Sequence, residues 1–78
     1  MPNKLRILSG ADLVAIFETY GFSVKSQNGS HIKMHNEFGK VIVIPNHKEI
    51  RKGTLKAIFN QSSAIISESE LSKNFYTE

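Results

Sequence analysis

Three histidines, His31, His35 and His47, are the side chains in this sequence best suited to moving protons near neutrality. An imidazole with an ordinary pKa of about 6.5 is present there in both protonation states. The chain has no cysteine, which removes thiolate nucleophiles, disulfides and Cys-type zinc or iron–sulfur sites. Ser30 directly precedes His31, but adjacent strand residues point to opposite faces, so the pair does not supply the hydrogen-bonded couple of a serine hydrolase. His31 and His35 are four residues apart, which on a strand is ~13 Å at ~3.3 Å per residue and beyond the reach of one metal ion. No metal site and no cofactor is expected. His31 follows the Gly-containing turn Gln27-Asn28-Gly29-Ser30, where backbone can approach a ligand closely, and Lys33 emerges beside it. An imidazole next to a cation suits phosphodiester chemistry. In RNA cleavage a base removes the 2′-OH proton, the freed oxygen attacks the adjacent phosphorus, and cations stabilise the charge that develops on the phosphoryl oxygens. A second candidate anion site is Arg51-Lys52-Gly53-Thr54-x-Lys56, where a helix start brings unpaired amides, positive dipole and cations together.

The elements that must position these groups are legible from periodicity. Ser9 is an N-cap with Asp12 three residues on, and Leu8 and Leu13 flank it as a hydrophobic staple. A helix therefore starts at Gly10, buries Leu13, Ile16, Phe17 and Tyr20 along one face, and stops at Gly21. Phe22 and Val24 then alternate with Ser23 and Lys25 as a strand that enters a hairpin at the Asn-Gly signal. In the next strand Ile32 and Met34 share one face while His31, Lys33 and His35 share the other. Asn36-Glu37-Phe38-Gly39 turns the chain into a third strand, Val41 to Ile44, which ends at Pro45 because proline cannot donate to a ladder. The unbroken apolar run leaves open which of its faces is inside. After a polar, basic connection, Leu55, Ile58 and Phe59 mark a helix entered near Gly53-Thr54. Ser67-Glu68-Ser69-Glu70 reads as a capping box, with Ile66 and Leu71 as its staple, so a short third helix follows. The order is α-β-β-β-α plus a C-terminal helix, an α+β architecture with a three-stranded antiparallel sheet, helices on one face and the His31 face open.

Composition sets the bounds. Seventy-eight residues, 40% of them apolar and 22% charged, make one folded domain spanning residues 1–78 without staples. No apolar run has the ~20 residues that cross a bilayer, and Asp12 and Glu18 interrupt the one stretch that follows Lys4 and Arg6, so neither a membrane span nor an export signal is expected. The expected location is the cytoplasm. Residues 1–56 carry nine Lys or Arg against four acids, whereas residues 57–78 carry Lys73 against Glu68, Glu70 and Glu78. A polyanion would therefore bind the first 56 residues.

The succession Leu8-Ser9-Gly10 opening a helix, Gly21-Phe22 closing it, Gln27-x-Gly29-Ser30-His31 in the turn, Ile44-Pro45-x-His47, and Gly53-Thr54-Leu55 before a helix resembles the HicA family of mRNA interferase toxins over roughly residues 4 to 70. The resemblance implies a fold like the double-stranded RNA-binding domain, cleavage of mRNA, and restraint by a HicB-type antitoxin encoded beside the toxin. It assigns the catalytic role to the histidine of Gly-Ser-His, here His31. Lys33 and Lys52 are then the expected phosphate contacts, Gly29 and Ser30 shape the turn, and His35, Thr54 and Lys56 complete the expected RNA surface. Many members carry a basic residue before the Gln of the turn, where this chain has Ser26, so that phosphate contact is missing or supplied by Lys25 or Lys33. His47 matches a histidine common in the family's Pro-x-His loop. The free toxin is expected to be a monomer. Two rival functions use the same surface: a noncatalytic RNA-binding module, and a protein-interaction domain that docks a partner on the open sheet face.

Overall fold

The computed structural model describes residues 4–77. Its elements are β1 (Lys4–Leu5), α1 (Gly10–Thr19), β2 (Ser23–Asn28), β3 (His31–His35), β4 (Val41–Pro45), α2 (Lys52–Ser62), α3 (Glu68–Phe75) and β5 (Tyr76–Thr77). From α1 to α2 the order is α-β-β-β-α, with β2, β3 and β4 adjacent and antiparallel in one sheet. This is the expected α+β arrangement, like that of a double-stranded RNA-binding domain.

At the start of α1 the Asp12 amide donates to the Ser9 hydroxyl and the Ser9 amide donates to the Asp12 carboxylate, both at 3.0 Å. Two of the four amides that a helix leaves unpaired are thereby satisfied. The Ser9 backbone N–H, followed by the Ser9 hydroxyl, holds the Asp12 carboxyl below its ordinary value of 3.8. Leu8 and Leu13 are both buried, as a staple requires, and Phe17 joins them in the core.

The sheet resolves the ambiguity of the apolar third strand. Ile42 and Ile44 face inward with Ile32 and Met34, while Val41 and Val43 share the open face with His31 and Lys33. β2 departs from simple alternation: Phe22 is buried, but Val24 is 46% exposed. Val24 lies opposite the buried Met34, on the inward face, and the register shifts only after it, at Lys25, so that Ser26 lies opposite Lys33. One extra residue sends Val24 and Ser26 to opposite faces, and an edge position leaves Val24 half-covered.

Leu55, Ile58 and Phe59 anchor α2 in the core, and the buried Ser62 hydroxyl is satisfied by donating to the Ile58 carbonyl at 2.7 Å. The helix begins at Lys52, one residue before the Gly-Thr signal, and its cap, Arg51, contributes no side-chain hydrogen bond. The capping box expected at α3 does not close. Ser67 Oγ engages Ser69 Oγ at 3.0 Å and Glu70 engages Lys73 at 3.4 Å, so both members of the box are occupied elsewhere. Packing rather than capping holds α3: Leu71 and Phe75 are fully buried, and Phe75 meets Phe17 and Phe59 edge-on at centroid separations of 6.3 and 5.3 Å. Asn74 Nδ2 donates to the Tyr20 hydroxyl at 2.8 Å, which ties α3 to the end of α1.

A second, two-stranded sheet was not legible in the sequence. Lys4 pairs with Thr77 and Leu5 with Tyr76, and the Arg6 amide donates to the Phe75 carbonyl at 2.8 Å. Two residues per strand carry no periodicity. Among the described residues no helix is long and apolar enough to cross a membrane.

Candidate active site

Residues 45–47 are held from two sides. The Asn46 amide donates to the Ser30 carbonyl at 2.6 Å, and the Gly10 amide donates to the His47 carbonyl at 2.9 Å. Gly10 has no room for a side chain: a Cβ there would lie 2.5 Å from the Pro45 carbonyl oxygen and 2.9 Å from Asn46 Cα. The glycine that opens α1 thus lets the helix end press against the segment bearing His47. His31 pairs with Pro45 in the sheet register, so the two histidines sit on neighbouring chain segments joined by backbone hydrogen bonds. The turn that delivers His31 requires Gly29, whose φ is +63°, a left-handed conformation that costs glycine nothing.

His31 and His47 line one cleft of about 530 Å³ together with Val43, Pro45, Glu49, Ile50, Arg51, Thr54, Ala57, Ile58 and Gln61. Its walls are apolar, from β4, the following connection and the face of α2 that carries Thr54, Ile58 and Gln61 at helical spacing. Its polar groups are two imidazoles, a guanidinium, a carboxylate, an amide and a hydroxyl. Among the described residues the ion pair formed is Lys73–Glu70, so Arg51 and Glu49 are not paired with each other although they share the cleft. Arg51, always charged and with five donors, is free to meet an anion there. No three His, Asp or Glu side chains among the described residues come together as metal ligands would.

The expected site residues do not all converge. His31 and Thr54 line the cleft. Ser30 supports it through its carbonyl, and Gly29 through the turn. Lys33 lies two residues along β3 from His31 on the same open face, directly opposite Ser26 and Val43, beside the cleft rather than in it. His35 is at the far end of β3, paired with Ser23 and Val41 and half-buried. Lys52 lines a different cleft, with Lys4, Leu5, Arg6, Ile7 and Thr77, and Lys56, one helical turn further on, is exposed outside the lining of either. Sequence reasoning singled out Arg51 and His47 without placing them with His31, and it missed Glu49 and Gln61. The available signal for Gln61 was its seven-residue spacing from Thr54 on one helix face. Glu49, in an irregular connection, gave none.

An α-β-β-β-α domain presenting imidazoles and an unpaired guanidinium in one open cleft belongs with the small α+β domains of double-stranded RNA-binding type. Within that class its membership can be stated more narrowly. The family model for the HicA toxin of bacterial toxin–antitoxin systems matches residues 10–63, well over half of the chain, and the chain belongs to that family of toxins. Comparison with curated proteins finds no match. The matched span contains β2 to α2 and every residue of the His31 cleft.

Proposed function

We propose that this toxin is an endoribonuclease that cleaves mRNA without a metal ion, with His31 as the base that removes the 2′-OH proton. The observation that carries the reading is the placement of His31 in a cleft with an unpaired Arg51 and the N-terminal turn of α2. A phosphodiester seated there would have a proton acceptor at the attacking oxygen and positive charge at the phosphoryl oxygens, where negative charge grows. Lys33 extends the cationic surface along the open face. Because Lys33 faces Ser26 across the ladder, it supplies a cation beside the position where the resemblance leads one to expect a basic residue. Backbone contacts of this kind read shape more than sequence, so affinity falls steeply with salt. A HicB-type antitoxin restrains the enzyme by covering the His31 face, and acidic residues opposite Lys33 and Arg51 would speed its association. The free toxin acts as a monomer in the cytoplasm.

The test is incubation of the purified chain with RNA in excess chelator. Cleavage leaving 2′,3′-cyclic phosphate ends supports the mechanism, and His31→Ala should slow it by about 10²–10⁴-fold, the usual worth of a positioned proton-transfer group. Intact RNA under these conditions overturns it. RNA retarded in a gel but uncut, with His31→Ala behaving like the native chain, would point to the noncatalytic module instead.

A further inference from the structure

Cleavage by an internal 2′-OH moves two protons. The O–H bond of the 2′-hydroxyl breaks as the 2′-O–P bond forms, and the P–O5′ bond breaks as the departing 5′-oxygen takes up a proton, giving a cyclic phosphate and a 5′-hydroxyl. The attacking and leaving oxygens lie on opposite sides of the phosphorus, so one imidazole in a fixed position does not serve both in a single step. His31 accounts for one transfer and leaves the other without a donor.

The titratable and charged side chains lining the cleft are His31, His47, Glu49 and Arg51. Arg51 cannot give up its proton near neutrality. Glu49 is exposed and, unlike His47, has no backbone hydrogen bond among the described turns and loops that fixes its place in the cleft. That leaves the second imidazole, and its backbone is fixed for the task. Its carbonyl accepts from the Gly10 amide at 2.9 Å, and the residue before it is bound to Ser30, the neighbour of His31, at 2.6 Å. Holding catalytic groups on a loop restrained at both sides is what keeps two proton-transfer groups at a constant separation across a reacting phosphate.

Resting on the ribonuclease reading above, we infer that His47 is the general acid of the reaction, protonating the 5′-oxygen as the P–O5′ bond breaks while His31 removes the 2′ proton. The two histidines form an acid–base couple assembled from the start of β3 and the segment after β4, and Arg51 holds the phosphoryl oxygens between them. His47 is exposed and its structural hydrogen bond runs through its backbone, so side-chain replacement spares the fold.

The experiment compares native chain, His31→Ala, His47→Ala and His47→Gln on two RNA substrates with excess chelator. One is ordinary; the other carries sulfur in place of the bridging 5′-oxygen at a single position, and a thiolate departs without being protonated. On ordinary RNA, His47→Ala and His47→Gln are expected to lose about 10²–10⁴-fold in rate with an unchanged melting temperature. On the sulfur substrate both His47 variants should return to near the native rate, whereas His31→Ala stays slow. The pH profile should follow the same logic. A native bell becomes a curve without its alkaline fall when His47 is replaced, because only an acid must be protonated to work. Native-like cleavage of ordinary RNA by His47→Ala overturns the inference. So does a deficit that the sulfur substrate fails to repair, which is the behaviour of a positioning residue, or rescue of His31→Ala instead. If the native chain itself leaves both substrates intact, it is the ribonuclease reading that has failed.

Discussion

Replacing Gly10 by alanine tests how the first helix is coupled to the candidate site. In an ordinary helix this change is stabilising, by about 0.4–1 kcal/mol, because alanine has less conformational freedom to lose on folding. At Gly10 the new Cβ would stand 2.5 Å from the Pro45 carbonyl oxygen, 2.9 Å from Asn46 Cα and 3.3 Å from the His47 nitrogen. Carbon contacts settle at about 3.5–4.0 Å, and all three neighbours are backbone, so no rotamer change relieves them. Either α1 or the 45–47 segment must move by about 1 Å, against an overpacking cost of about 1–3 kcal/mol. Loss of the Gly10–His47 hydrogen bond adds about 0.5–1.5 kcal/mol. The alanine gain offsets only part of this, so the net expectation is destabilisation by about 0.5–4 kcal/mol, each kcal/mol lowering the melting temperature by about 4–8 °C for a domain of this size. The built-in control is Gly53→Ala, also in a first helical turn, where a Cβ would meet nothing within 4 Å. It should raise stability by about 0.4–1 kcal/mol. Urea unfolding of the two variants followed by circular dichroism decides the matter. Equal or greater stability of Gly10→Ala relative to the native chain would refute the reasoning.

Phe75→Ala removes a fully buried ring that touches both Phe17 and Phe59. A loss of about 3–5 kcal/mol is expected from a total of about 4–12, and a broadened or absent thermal transition should show it. Arg51→Ala should reduce the RNA cleavage rate by about 10²–10³-fold, as loss of a charge-stabilising donor does. Lys52→Ala, on the other cleft, should leave that rate nearly unchanged. Lys33→Ala should weaken RNA binding uniformly across sequences and lower the slope of log affinity against log salt by about 1; an unchanged slope argues against a phosphate contact. Asp12 is held below its ordinary value by the Ser9 amide and hydroxyl, so its stabilising contribution is complete above the unfolded-state value near pH 4 and disappears as pH falls through the lower folded value. The stability difference between native chain and Asp12→Asn should accordingly shrink in acid, and a constant difference would refute the linkage.

The elements that alternate or repeat with a clear period were legible in the sequence: α1 with its Ser9–Asp12 box, β3 with Ile32 and Met34 inward, and the Leu55–Ile58–Phe59 face of α2. Where the pattern misled, a specific interaction outweighed it. Val24 keeps the inward face opposite Met34 but stands on an edge strand that leaves it half-covered, and the Ser67–Ser69 contact displaced the expected box. The cleft was half legible. His31 stood out through its turn and neighbours, but its partners Arg51, Thr54 and Gln61 come together only because β4 and α2 converge, and no local pattern encodes that. His47 depends on the tight contact at Gly10, which two glycine-free chain segments would not permit.

The β1–β5 ladder places Lys4 beside Thr77, so the described chain is close to a closed ring with a two-residue seam. A short peptide joining these positions would sew the seam, and the ring could then be cut elsewhere. The tip between β3 and β4 is the natural place, because Phe38 is 77% exposed there and exposed tips tolerate new ends. A rearranged chain of this kind would carry His31 and His47 on opposite sides of its new break, with the β3–β4 ladder and the hydrogen bond from Asn46 to Ser30 left to reunite them.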